Sequence, residues 1–477
     1  MQTILLWGSL LACVAPDGEG PDSPDGEGPG EPDTLVLTDE YPDYTPAGDA
    51  VYIRYDDVPN MVRATPAGVE ALDLGARVPL WAEATPDGRF LLVLTSSATG
   101  VEHVLVEDGA IVMAFADQEN NRVAASPDGR HLVLWFDGTL DPHTELLVDV
   151  GQVTLVDTEL GVATRVATGL VPKSVSVAHE RALVVGTRGA LSLDLLTQSA
   201  GEAYDFDAEG VASGAWGYWG VISADEAYGF VSGAPDEMDA TVVRLGLAAR
   251  SVLPTKAPVS EEDERIGNEQ TPWLFRVGDS LFAHIDNIGL TTFDPETLAF
   301  SLVNARVEFS MMEVQADRAV LYGGDGTHLL WTDPVALHTD GVDSGQNRIW
   351  FGDDHAVLQR YEGEAWHAKV LDLATGDTWL QPLQDVLDWA ALMTVGGSPM
   401  ALVAIDGVET YGLMTLVEGA SLSSIGTERF LFGAMANSEA FYVTDRDEAG
   451  FIAFVDPVSF EQTEHRDFTA LDLLREP

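Results

Sequence analysis

Three kinds of side chain in this sequence are placed to do chemistry. Asp205, Asp207 and Glu209, followed by Gly210, put carboxylates at the first, third and fifth positions of a loop and a turn-former at the sixth. That spacing suits Ca²⁺, which takes roughly six to eight oxygen ligands and needs a sharp turn to wrap them. The ninth and twelfth positions are Ser213 and Trp216, so the closing carboxylate is missing. Asp445, Asp447, Gly450 and Asp456 fall on the first, third, sixth and twelfth positions of a second such window, with Ala449 at the fifth. Against both stands the abundance of acids, because 78 Asp and Glu in 477 residues generate such spacings by chance. Trp216, Tyr218 and Trp219, spaced by Gly217, follow the first loop. Rings beside carboxylates stack on sugars or hold cations, and serve equally well as a buried inner strand. The remaining reactive group is Cys13, the one cysteine in the chain.

The Asp205 loop resembles the calcium loops of EF-hands and of integrin-type propellers, a resemblance that implies Ca²⁺ as a ligand. Other chemistries lack their residues. No G-x-S-x-G elbow is present, and Gly397-Ser398-Pro399 has neither the flanking pattern nor a following helix. The ten histidines include no H-x-H or H-E-x-x-H pair, and a single cysteine excludes a disulfide framework and a Cys-based zinc site. Two loop carboxylates that converge on one pocket could act as general acid and base on a glycosidic bond. The sequence singles out no such pair, and no catalytic residue is assigned.

The elements that must carry these residues are short apolar runs between turn signals. Arg89–Thr95, His131–Phe136 and Ala182–Gly186 are of strand length and rich in Val, Leu and aromatics. Two of them follow the tetrapeptide Pro-Asp-Gly-Arg, at Pro86 and Pro127, 41 residues apart. Proline sets φ, aspartate bonds its own backbone and glycine accepts a positive φ, so each tetrapeptide is a hairpin turn. With Thr85 or Ser126 in front, it resembles the SPDGR turn of WD-repeat-like and related bacterial β-propellers. An apolar strand ending in an acid recurs at Asp73, Asp117, Asp157, Asp194, Asp294, Asp333, Asp372, Glu418 and Asp456. One degenerate unit near Val242–Leu247 fills the long gap, giving ten units about 43 residues apart.

This periodicity predicts an all-β propeller of four-stranded antiparallel blades. One ring of eight to ten blades is expected, with two five-unit propellers split near 254–271 as the alternative. The PDGR turns read as connections between first and second strands. The Asp205–Trp219 and Pro254–Thr271 stretches read as connections between blades, on the opposite face of the ring.

The N-terminal segment reads as an address. Ile4–Ala12 is apolar and ends in Leu10-Leu11-Ala12-Cys13, which resembles the lipobox of bacterial lipoproteins. The resemblance implies removal of residues 1–12 and lipidation of Cys13, although no Lys or Arg precedes the apolar run. In residues 14–34, 17 of 21 are Gly, Pro, Asp or Glu, a composition that cannot offset its ordering entropy and serves as a tether. Residues 35–477 then form the propeller.

With 24 Lys and Arg against 78 acids the net charge is −54, which opposes nucleic acid and anionic membrane surfaces as partners. The expectation is a monomeric, lipid-anchored scaffold of the cell envelope, at the outer membrane or cell surface, that binds a protein or small ligand on its loop face. The competing expectation is a hydrolase or lyase that uses loop carboxylates on carbohydrate, assisted by Ca²⁺.

Overall fold

The computed structural model describes residues 42–466 apart from a set of connections, the longest being 117–121, 137–150, 207–215, 235–240, 257–272, 342–348 and 417–422. Among the described residues the chain is all β, arranged as ten four-stranded antiparallel blades whose strands follow chain order. Blade 1 shows the plan, with strands Asp43–Ala47, Ala50–Arg54, Met61–Thr65 and Gly68–Leu72. Blades 2 to 10 span residues 78–116, 122–167, 172–205, 216–256, 273–304, 311–341, 349–382, 387–427 and 430–465. Blade 4 adds a two-residue strand, Tyr204–Asp205, paired to Gly189 and Ala190.

The middle strands are apolar on both faces because each blade is sandwiched between two neighbours. Phe90–Ser97 and His131–Trp135, both second strands, are buried along almost their whole length. The fourth strands meet solvent and carry exposed apolar side chains such as Val112, Val162, Leu302 and Leu380. Apolar runs of this kind signal strands buried on two sides, as the sequence pattern implied.

Ten apolar clusters lie at the ten junctions, one between each pair of neighbouring blades. At the last junction Val51, Ile53 and Val62 of blade 1 pack against Tyr442, Ile452 and Phe454 of blade 10. His465 Nε2 lies 3.1 Å from the Thr65 carbonyl across the same junction. Among the described residues the ring therefore closes on side-chain packing, with no strand exchanged between its ends. A continuous junction between blades 5 and 6, built on Val221, Phe230, Val242, Leu281 and Phe293, excludes two separate propellers. Each fully buried Leu or Phe in such a junction contributes about 1.5–3 kcal/mol.

The acidic period markers number ten units correctly but change phase once. Asp157, Asp194 and Asp372 end third strands and Asp294 and Asp456 directly follow them, whereas Asp73 follows the fourth strand of blade 1. Asp117, which follows the fourth strand of blade 2, lies outside the described residues, as do Asp333 and Glu418. The cause is local: blades 1 and 2 join their third and fourth strands by two-residue turns, leaving no room for an aspartate loop. In blade 2 that turn is Asp108-Gly109, with φ of 48° and 76°, the left-handed pair that a tight hairpin requires.

Candidate functional site

Antiparallel blades sort their connections onto two faces. The turns joining strands one to two and three to four share one face; those joining two to three, and one blade to the next, share the other. First strands of consecutive blades touch in turn, as in blades 3 to 6, and so lie nearest the ring axis.

On the first face the polar side chains are committed to the backbone. Thr85 Oγ1 donates to Asp87 Oδ1 (2.6 Å) and accepts from the Phe90 N–H (3.0 Å). Ser126 and Asp128 repeat the arrangement, with the His131 N–H as donor (2.9 Å). A third copy that sequence reading missed is Ser223-Ala224-Asp225-Glu226, where Ser223 donates to Asp225 and accepts from the Tyr228 N–H. Alanine replaces the proline there, and Glu226 occupies the glycine position at φ 60°. The invariant part is a hydroxyl two residues before an aspartate, and that pattern was the available signal.

The third-to-fourth turns are equally regular. Asp294 Oδ1 accepts the N–H groups of Glu296 and Thr297 at 2.8 and 3.0 Å, and Asp372 and Asp456 do the same in their blades. These backbone donors hold the carboxyls of Asp294 and Asp456 below the usual range. Such groups add stability above their unfolded pKa and lose it as pH falls through the folded one.

Four residues after each aspartate the backbone is left-handed, at Gly161, Gln198, Leu298, Gly376 and Phe460. A Cβ at Gly376 would meet the Trp331 ring at 2.6 Å, whereas one at Gly161 would meet nothing within 4 Å. Gly161→Ala is expected to cost about 1–2 kcal/mol from backbone strain alone. Gly376→Ala should cost clearly more, and denaturant midpoints of the two variants separate conformation from packing. Equal losses would mean that Trp331 moves aside freely.

The aromatic residues singled out from the sequence lie on an inner strand that starts from the opposite face. Six of the eleven tryptophans lie on first strands: Trp81, Trp216, Trp219, Trp273, Trp350 and Trp389. Trp219 and Trp273, on blades 5 and 6, are half-buried with ring centroids 5.8 Å apart. Trp273 stacks in turn on buried Phe309 at 5.1 Å, and the His284 ring lies 4.7 Å from Phe309. His284 Nε2 is 2.8 Å from the Val307 carbonyl, which fixes it as part of the wall. Trp216 and Tyr218 sit on the same first strand as Trp219. Gly220 lets this strand press against blade 4, since a Cβ there would collide with Val185 Cγ2. Trp273, which lies two residues past the 254–271 stretch, was not singled out from the sequence, because only strand register puts it beside Trp219.

The proposed calcium ligands fare differently. Asp205 lies on this aromatic face, paired in register with Gly189, while Asp207 and Glu209 fall outside the described residues. Asp445 ends the second strand of blade 10 and Asp456 follows its third, so the two sit at opposite ends of the blade. They are not brought together, and Asp447 lies outside the described residues. No cluster of three His, Cys, Asp or Glu occurs among the described residues.

Sequence reading also passed over Glu83, near the end of the first strand of blade 2. Its side chain reaches solvent, and the protein mass around it disfavours the charged form and pushes its pKa up to about 7. A raised carboxyl stabilises the fold below its unfolded pKa, and that contribution is lost as pH climbs towards 7. Glu83→Gln should therefore flatten the fall in stability between pH 4.5 and about 7. An unchanged profile in melting curves would show that solvent in the channel hydrates the carboxylate fully.

No protein-family model and no curated protein matches the sequence. Solved structures that resemble it include dihydro-heme d1 dehydrogenase NirN in complex with DHE, at 15% identity over 81% of this chain and 75% of that one, with a TM-score of 0.38. AztD from Citrobacter koseri is similar at 12% identity over 72% and 94% of the two chains, with a TM-score of 0.40. BamB from Moraxella catarrhalis is similar at 13% identity over 78% and 96%, with a TM-score of 0.36. These likenesses concern propeller architecture alone; the ring of ten blades stands on its own strand pairing and junctions.

Proposed function

We propose that this protein is a lipid-anchored binding scaffold of the cell envelope that takes a protein or small ligand at the aromatic mouth of its ring. The observation that carries this reading is the solvent-reaching Trp219–Trp273 pair on axis-lining strands of adjacent blades. Aromatic faces at a rigid mouth offer contact area at low entropic cost, and connections held by a stiff scaffold are where binding groups concentrate. The opposite face is a poorer choice, because its hydroxyls and carboxylates are spent on their own turns. Anchoring rests on the lipobox-like Leu10–Cys13 and the Gly/Pro-rich segment behind it. Strand Asp43–Ala47 runs away from the aromatic face, so the chain enters the first blade on that side.

The test uses the lipidated full-length protein and the Trp219→Ala/Trp273→Ala double variant, each with native envelope. The wild type and a Leu160→Ser control on the other face should retain the same bound component, and the double variant should lose it. Retention by the double variant would refute the mouth as the site. Cys13→Ser should release the protein into the soluble fraction, and failure of a palmitate analogue to label the wild type would refute the anchor.

A second reading, a carbohydrate hydrolase or lyase, would take Glu83 as its acid, because this exposed carboxyl sits on an inner first strand and is pushed up to about 7. A general acid needs its pKa near the working pH. Loss of depolymerising activity in Glu83→Gln, with no change in the Trp219→Ala/Trp273→Ala capture, would establish it.

A further inference from the structure

Among the described residues every blade ends in an outer strand that is paired on one side, and such an edge is a template on which another chain can add a strand. Ten of these edges form the rim of the ring. Four carry a charged residue: Glu70, Arg165, Asp340 and Glu464, on blades 1, 3, 7 and 10. Two carry a proline, which offers no N–H to an added strand: Pro254 and Pro382, on blades 5 and 8. On blade 4 the outer position is split into two pieces of two residues each, Ser199–Ala200 and Tyr204–Asp205.

The outer strands of blades 2, 6 and 9 have neither charge nor proline. These three are the ones whose register slips. In blade 2 Leu105 pairs with Met113 and Val106 with Ile111, so Val112 is skipped. Val303 in blade 6 and Ile425 in blade 9 are skipped in the same way. The six outer strands that hold a charge or a proline are paired without a shift. A bulge bends and twists its strand, so the outward N–H and C=O groups no longer form the even row that an added strand needs.

We infer that the rim is built to refuse strand addition, by charge, proline or shortness on seven blades and by one skipped residue on the other three. Contact with other chains is thereby left to the two faces of the ring, whatever the mouth binds. Blade 2 needs the device most. Its outer strand, Ala110–Ala116, is seven residues long and apolar throughout, with Ile111 and Val112 38% and 47% exposed. Arg165 donates to the Ala116 carbonyl at one end (3.2 Å), which leaves the stretch around Val112 to the bulge. Removing Val112 alone makes the pairs from Glu107–Ala110 to Glu102–Ala116 consecutive and keeps every one of them. The product is a regular apolar edge of the kind that pairs with other chains.

The net charge of −54 also holds copies apart, but salt removes that barrier: at about 1 M the screening length is ~3 Å. A comparison at high salt therefore reads the shape of the edge and not the charge. The test sets the full chain in its Cys13→Ser form against the same chain lacking Val112, by sedimentation velocity in about 1 M NaCl. The deletion should associate where the parent does not, its average mass rising about twofold or more between ~1 and ~100 µM protein. Ala114→Lys added to the deletion should restore the parent's mass, because a lysine guards an edge by itself. Deletion of Val303 in blade 6 is the second variant and should behave alike; melting curves show which deletions fold. A folded chain lacking Val112 that keeps the parent's mass, or an association that survives Ala114→Lys, would overturn the inference. Association of the parent that Ala114→Lys abolishes would overturn it too. So would failure of both deletions to fold, which would assign the bulges to junction packing.

Discussion

Phe454→Ala is expected to lower stability by about 3–5 kcal/mol, the usual cost of emptying a large aromatic site in a packed core. Phe454 is 2% exposed and packs across the junction of blade 10 with blade 1. The same substitution at Phe230, which is fully buried between blades 5 and 6 and meets Phe293 edge-on at 5.3 Å, should cost a similar amount. The comparison is informative because the two junctions differ in connectivity. Blades 5 and 6 are joined through the chain, whereas among the described residues blades 10 and 1 meet through side chains and the His465–Thr65 contact. In a repeat array with open ends, terminal units fray and their core substitutions register weakly. Equal shifts in denaturant midpoint are therefore the signature of a closed ring, and a loss under about 1 kcal/mol at Phe454 would indicate free ends.

The melting temperature is expected to rise by several degrees as NaCl goes from about 0.05 to about 2 M, because salt screens the excess of acids. The ion pairs show how far the cations are stretched. Arg63 serves both Asp49 and Glu70 at 2.7 Å, and Arg130 serves both Asp157 and Glu159 at 3.3 Å. Even with such sharing, 24 basic residues cannot neutralise 78 acids. Two carboxylates 10 Å apart repel by roughly 0.4 kcal/mol in water, and folding brings many such pairs to that range. A sucrose control separates screening from preferential exclusion. A melting temperature that stays flat in NaCl would mean that the acids are already spaced widely enough, and that the charge serves solubility alone.

The ring was legible in the sequence where local chemistry repeats. PDG turns at Pro86 and Pro127, and aspartates that cap third-to-fourth turns, are fixed by residues close in the chain. Their signal survives without knowledge of the fold. Blade 5 was the degenerate unit because its third strand runs into Leu247 with no capping aspartate. The turn at Ser223 was hidden by Ala224 and Glu226, although its hydroxyl and aspartate were in place. The aromatic mouth was half legible: Trp216, Tyr218 and Trp219 stand out by composition, but the relation of Trp219 to Trp273 depends on how the first strands of two blades align. The Asp445–Asp456 window misled for the same reason, since a spacing that suits a loop here spans a whole strand.

Distance measurement between spin labels tests the closed ring most directly. In a Cys13→Ser background, which removes the only cysteine, labels are placed at Ala67 and Val458, exposed positions on the third-to-fourth turns of blades 1 and 10. A reference pair at Leu160 and Leu196 occupies the corresponding turns of blades 3 and 4 and is likewise exposed. The closed ring of ten blades predicts closely matching distance distributions for the two pairs. A much longer or broader distribution between Ala67 and Val458 would contradict it, leaving an open spiral in which the arc of blades 3 to 6 no longer borders a central channel.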